Sequence, residues 1–160
     1  MIEFSIPLRS GDLVWTLFPY DDEPDEPGAI RHAACVIAAF GQKSSAVATN
    51  ASVPPRGLVV GVYTSSQVGK FGDALPVGVI RVAREQAAQL GGQVPFFIDV
   101  RKRAFLPYTR KFFPDIDRPG KGIIAASSKP LFAEVVRQYD LVNKRHQDLV
   151  TNVGPLRPLA

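Results

Sequence analysis

Two apolar runs with polar ends constrain this chain more than any other feature: IRHAACVIAA from Ile30 to Ala39, and GLVVGVYTSSQ from Gly57 to Gln67. Both are short apolar stretches flanked by glycine and polar residues, which reads as a strand in each case. The first opens on Arg31 and the second closes on Thr64, Ser65 and Ser66. Placed in one small barrel, these ends bring a guanidinium and several hydroxyls to one rim, a combination suited to a phosphodiester. A further strand, GDLVWTLFPY from Gly11 to Tyr20, is entered through Gly-Asp and left through Phe-Pro.

The rest of the chain extends the pattern. Pro76 to Val82, Val94 to Tyr108 and Lys121 to Ser127 read as extended segments, and Ala83 to Gly92 as a short helical turn closed by glycines. Five to seven short strands in 160 residues point to one mainly-β (α+β) domain, a small SH3-like β-barrel spanning 1 to 153. One helix is expected from Ser128 to Val150. Ser128 can cap it, Pro130 suits its first turn, and Leu131, Val135, Tyr139, Val142 and Leu149 form an apolar stripe to pack on the barrel. Residues 154 to 160, with Pro155 and Pro158, are expected to fray. The connection from Gly41 to Gly57 is small and polar, and is expected to be mobile.

Charge is uneven along the chain. Residues 1 to 100 hold seven Lys/Arg against ten Asp/Glu, and residues 101 to 160 hold twelve against five. Arg101, Lys102, Arg103, Arg110 and Lys111 interleave with Phe105, Tyr108, Phe112 and Phe113. Such a mixture neutralises phosphates and stacks bases, or else it is a strand pair with aromatic residues in the core and cations in water. Cys35, the single cysteine, sits inside an apolar run and is expected to be buried and inert. No His, Cys or carboxylate set has metal-ligand spacing, and GVYTSSQVGKFG lacks the terminal Gly-Lys-Ser/Thr of a nucleotide cradle, so no metal or other cofactor is expected. Without an apolar stretch of roughly 18 residues or an export signal, the expected location is the cytoplasm, away from the membrane.

The three delimited strands together resemble the MazF/PemK family of toxin ribonucleases, and the YTSSQ run is similar to its divergent plasmid PemK-like branch. The resemblance covers roughly the first 85 residues. Gly11, Asp12, Leu13 and Val14 with Phe18 and Pro19 match the opening block, and Arg31 matches an arginine that starts the second strand. There His32 stands in place of the family's proline. Val59, Val60, Val62, Tyr63, Thr64, Ser65 and Ser66 match the third block. The resemblance implies a PemK-type barrel with a C-terminal helix. It also implies metal-independent cleavage of single-stranded RNA by attack of the 2′-hydroxyl, in the toxin of a type II toxin-antitoxin pair. A homodimer and an acidic antitoxin partner are further implications.

In that reading Arg31 and Thr64 are the catalytic candidates. The resemblance gives the arginine acid/base work and the threonine the phosphate. A free guanidinium gives up its proton poorly, so an electrostatic role suits Arg31 better on physical grounds. Ser65, Ser66, Gln67, Phe18, Tyr20, Arg101, Arg103, Arg110 and Lys111 are the candidates for holding RNA. His32 has the pKa of a general acid or base, but strand alternation turns it away from Arg31 unless the strand begins only after His32. A second reading keeps the barrel and removes the chemistry, leaving a catalytically inactive module that binds nucleic acid or a protein. The two differ in one respect: catalysis requires Arg31, Thr64 and the 101 to 111 stretch on one concave face, whereas an inactive module can hold Arg31 in a salt bridge, for instance to Asp21, Asp22, Glu23, Asp25 or Glu26.

Overall fold

A computed structural model describes residues 6–41, 57–67, 69–90 and 94–158. Nearly all of the Gly41 to Gly57 connection, and the glycines expected to close the short helical turn, lie outside the described residues. In chain order the elements are β1 (Asp12–Thr16), β2 (His32–Gly41), β3 (Gly57–Ser65), β4 (Val79–Val82), α1 (Arg84–Gln89), β5 (Phe96–Pro107), β6 (Ile123–Ala126), α2 (Lys129–Arg145) and β7 (Thr151–Val153). The strands form one sheet in the order β4-β5-β3-β2-β1-β6, and β7 adds to β5. Neighbouring strands run antiparallel except for β7, which runs parallel to β5.

The mainly-β architecture with a C-terminal helix packed on the sheet agrees with the expectation. Closure does not, because β4 and β6 end the path and the sheet stays open among the described residues. Burial explains this. Leu13, Cys35, Val62, Val82, Ile98 and Val100 point to one face, where Ala87 and Leu90 of the α1 region and Leu131, Val135 and Val142 of α2 cover them. Val14, Ala34, Val36, Val59, Ala104 and Leu106 point to the other, packed with Leu8, Phe18, Phe112, Phe113 and Ile116. Helices meet the apolar demand of the first face, so the sheet need not curl shut to bury it.

β5 carries the main irregularity. Val62 pairs with Arg103, but the next residue, Tyr63, pairs with Asp99, so residues 100 to 102 fall out of the β3 ladder as a bulge. On the opposite edge, β4 takes Phe96 to Asp99 and β7 takes Lys102 to Ala104. One strand thus serves three neighbours by bending.

Ser128 caps α2, its hydroxyl accepting from the Leu131 N–H at 3.3 Å, and Pro130 lies in the first turn. The helix ends at Arg145, short of the expected Val150. His146 leaves helical geometry at φ −140°, a 3₁₀ turn follows over Gln147–Leu149, and Leu149 is exposed instead of joining the stripe. The turn redirects the chain into β7. The segment expected as a tail lies against the acidic loop: Gly154 N–H donates to the Pro24 carbonyl at 2.6 Å, and Arg157 ion-pairs with Asp25. A Cβ on Gly154 would stand 2.3 Å from the Phe105 carbonyl oxygen, so only glycine fits there.

Phe112 and Phe113, candidates for base stacking in the sequence, are buried in the core with Tyr108. Replacing Phe112 with alanine should therefore lower the unfolding free energy by about 3–5 kcal/mol in a urea titration, since the cavity forms in a packed core. A stable variant with weakened RNA binding would assign the ring to the surface instead.

Candidate functional site

The antiparallel β2–β3 pairing, with Ala34 opposite Tyr63, brings the entry of β2 beside the exit of β3. A cleft of about 500 Å³ opens there. Arg31, His32, Thr64, Ser65, Ser66 and Gln67 all line it, facing an apolar wall that includes Leu13, Trp15, Leu90, Phe96 and Ile124. Both catalytic candidates and three of the residues expected to hold substrate thus converge on one concavity.

Two hydroxyls fix the entry of β2. Thr16 Oγ1 donates to the His32 carbonyl at 3.1 Å, and Thr64 Oγ1 donates to the Ala33 carbonyl. Thr64 is buried and has committed its proton to the sheet, so it presents only acceptor lone pairs to the cleft. Ser65 is arranged the other way. Its oxygen accepts from the Gln67 N–H at 3.1 Å, leaving its own proton to donate. Donation to a phosphate therefore rests with Ser65, Ser66 and Arg31.

Arg31 is held from behind. One terminal nitrogen lies 3.0 Å from Asp115 Oδ1; the arginine side chain is 44% exposed and the aspartate 6%. Arg118 approaches the same oxygen at 3.3 Å. The partner is thus Asp115 and none of the carboxylates of the 21 to 26 loop. A guanidinium carries five N–H donors, so one contact fixes its position and leaves others for the cleft.

His32 also lines the cleft. Because β2 begins at His32, Arg31 lies ahead of the strand and the alternation that would turn the histidine away does not operate between the two. Its ring sits 5.2 Å from that of Tyr63. Burial pushes the imidazole below its ordinary value of 6.5, which leaves it neutral and able to accept a proton at pH 7. Cys35, behind this surface, is fully buried, and burial with the nearby Asp12 charge pushes its thiol up to about 12. It is an inert core residue.

The basic stretch does not join the cleft. Arg101 makes a two-pronged contact with Asp99 at 2.9 Å, Arg110 pairs with Asp117, and Lys111 lies 3.3 Å from Glu26. Arg103 is 5% exposed and turned inward. Its guanidinium stacks 3.7 Å over the Tyr139 ring, donates to the Val100 carbonyl at 2.8 Å and reaches Asn143. Phe18 is buried and Tyr20 exposed, and both line a smaller pocket that shares His32 and Tyr63 with the cleft.

Two residues of this region, Trp15 and Asp115, escaped the sequence reading. Trp15 shares a face of β1 with Leu13 and could have been found by alternation along GDLVWT. Asp115 lies in a loop where no periodicity marks burial. Among the described residues, no group of three or more His, Cys, Asp or Glu could hold a metal ion, and no helix is long and apolar enough to cross a membrane. No protein-family model matches the chain, and the search of curated proteins found no match.

The lowered His32 pKa has a signed consequence. Between its folded midpoint and about 6.5, the unfolded chain binds a proton that the folded chain does not, so stability falls as pH drops through this window and levels off below it. An NMR titration of the His32 ring should give a midpoint below 6.5, and His32→Gln should remove that part of the pH dependence of unfolding. A midpoint above 6.5 would mean that a carboxylate partner, not burial, sets the charge.

Proposed function

We propose that the protein is a metal-independent endoribonuclease acting on single-stranded RNA at the β2–β3 cleft. The observation that carries this reading is the meeting of Arg31, His32, Ser65 and Ser66 in one cavity with Arg31 anchored on a buried carboxylate. Cleavage needs a proton removed from the 2′-hydroxyl and charge stabilised on the non-bridging oxygens. Neutral His32 accepts that proton as the 2′-oxygen attacks phosphorus, while Arg31 and the two serines donate to the phosphoryl oxygens. The bond to the 5′-oxygen breaks, that oxygen takes a proton from water, and a 2′,3′-cyclic phosphate remains. This gives His32 the acid/base work and Arg31 the electrostatic work. The toxin role, with an acidic antitoxin and a homodimer, is part of the same proposal and rests on the strand-block resemblance alone.

A second reading has its own support. Both marks of an inactive module are present: Arg31 is held in a salt bridge, to Asp115, and the basic stretch does not form one face with it, since Arg101, Arg110 and Lys111 are ion-paired and Arg103 is buried. A catalytically inactive relative that binds nucleic acid or a protein through the largely apolar cleft fits that observation.

Purified protein incubated with a long single-stranded RNA in excess EDTA separates the two. The nuclease reading expects cutting in the chelator, and a loss of about 10²–10³ in kcat for Arg31→Ala, the usual effect of removing one preorganised donor. It also expects the rate to fall as pH drops below the lowered His32 value, a limb absent in His32→Gln. Absence of cutting with binding retained would establish the inactive module.

A further inference from the structure

The smaller pocket beside the cleft has a distinct chemistry. It encloses about 270 Å³, below the usual volume for a drug-sized ligand and suited to a single ring system. Phe18, Tyr20, His32 and Tyr63 line it together with Asp21 and Lys102. Phe18 meets Tyr63 edge-on at 5.3 Å, which fixes the tyrosine ring, and the Tyr20 hydroxyl accepts from the Ala29 N–H at 3.3 Å, which ties Tyr20 across its own loop.

Two opposite charges line this one small pocket. In the acidic loop Asp25 pairs with Arg157 and Glu26 with Lys111, whereas Asp22 and Glu23 do not line this pocket; in the basic stretch Arg101 and Arg110 are paired. Asp21 and Lys102 have no ion-pair partner among the described residues, and although they line one pocket they do not pair with each other. Lys102 instead stands 5.0 Å over the face of Tyr63. Opposite charges that line one aromatic pocket without pairing match a flat ring that offers N–H donors to the carboxylate and a carbonyl or phosphate oxygen to the ammonium.

We propose that this pocket receives the nucleobase next to the scissile phosphate and selects guanine over uracil there. The inference rests on the nuclease reading of the adjoining cleft, which shares His32 and Tyr63 with the pocket. A carboxylate only accepts hydrogen bonds, and the adjacent N1–H and N2–H of guanine supply two donors to it. Uracil offers one N–H flanked by two carbonyl oxygens, which Asp21 repels. The same negative charge repels phosphate and leaves it to Lys102, while Tyr20 and Tyr63 stack on the base.

The test uses the full chain and RNA oligonucleotides identical except for G, A, C or U on either side of the cut. Wild type is expected to cut the guanine substrate at least about tenfold faster than the uracil one at one flanking position, the usual worth of a two-pronged base contact. Asp21→Asn should bring the two rates within about threefold, and Lys102→Ala should slow all four substrates alike. Asp21 is exposed, so unchanged thermal melting of its variant should accompany the change in preference. Equal rates in wild type, or a preference that survives Asp21→Asn, would overturn the pocket assignment and leave the cleavage reading standing. Should wild type cut none of the RNAs, binding of 2′-O-methyl oligonucleotides decides the pocket separately: an Asp21-dependent preference for guanine supports it, and no base preference overturns it.

Discussion

The arrangement of the cleft depends on β3 pairing with β2 along one edge and with β5 along the other. Because β3 is central, it is paired on both sides as far as Tyr63; Thr64 and Ser65 continue on β5 alone and stand where the opposing strand β2 begins. The β5 partner accommodates this by bulging over residues 100 to 102, which lets β4 and β7 share its far edge. The bulge sets the disposition of charge as well: it separates Arg101 on Asp99, Lys102 over Tyr63 and Arg103 in the core, three neighbours in sequence with three different environments.

Burial then decides which polar groups can act. Asp115 lies out of water and would be costly without a cation; Arg31 and Arg118 offset its charge by ion pairing, which anchors Arg31 at the cleft, although the shared Oδ1 makes no hydrogen bond among the described residues. Arg103 shows the opposite outcome. It is desolvated, which lowers its pKa, and is held by Tyr139, Asn143 and a backbone carbonyl, joining β5 to α2. The cleft therefore relies on one anchored guanidinium, two serines and a neutral imidazole, with no wide basic surface. Trp15, 38% exposed on the apolar wall, gives any ligand there a ring to lie against.

Much of this was legible in the sequence. The three delimited strands gave β1, β2 and β3, and the polar ends of two of them gave Arg31, Thr64, Ser65 and Ser66 at one place, because antiparallel pairing must bring an entry beside an exit. Ser128 and Pro130 marked the start of α2, but its end depends on His146 turning toward a parallel pairing with β5, a long-range demand that local periodicity does not carry. Sheet closure was likewise unreadable, since apolar residues on both faces of β2 and β3 fit a covered open sheet as well as a barrel. The basic stretch misled because composition counts cations without showing their partners: Asp99 and Asp117 are near in sequence, whereas Glu26 and Asn143 arrive only through the fold.

The central claim is that the β2–β3 cleft cleaves RNA through the substrate's own 2′-hydroxyl. It is tested most directly with an RNA carrying a single 2′-deoxynucleotide on the 5′ side of the cut, beside its all-ribose counterpart, with the product ends identified by mass spectrometry. The account predicts 2′,3′-cyclic phosphate and 5′-hydroxyl ends from the all-ribose strand and no cut at the deoxy position. Cutting at the deoxy position, or ends bearing a 5′-phosphate, would contradict it.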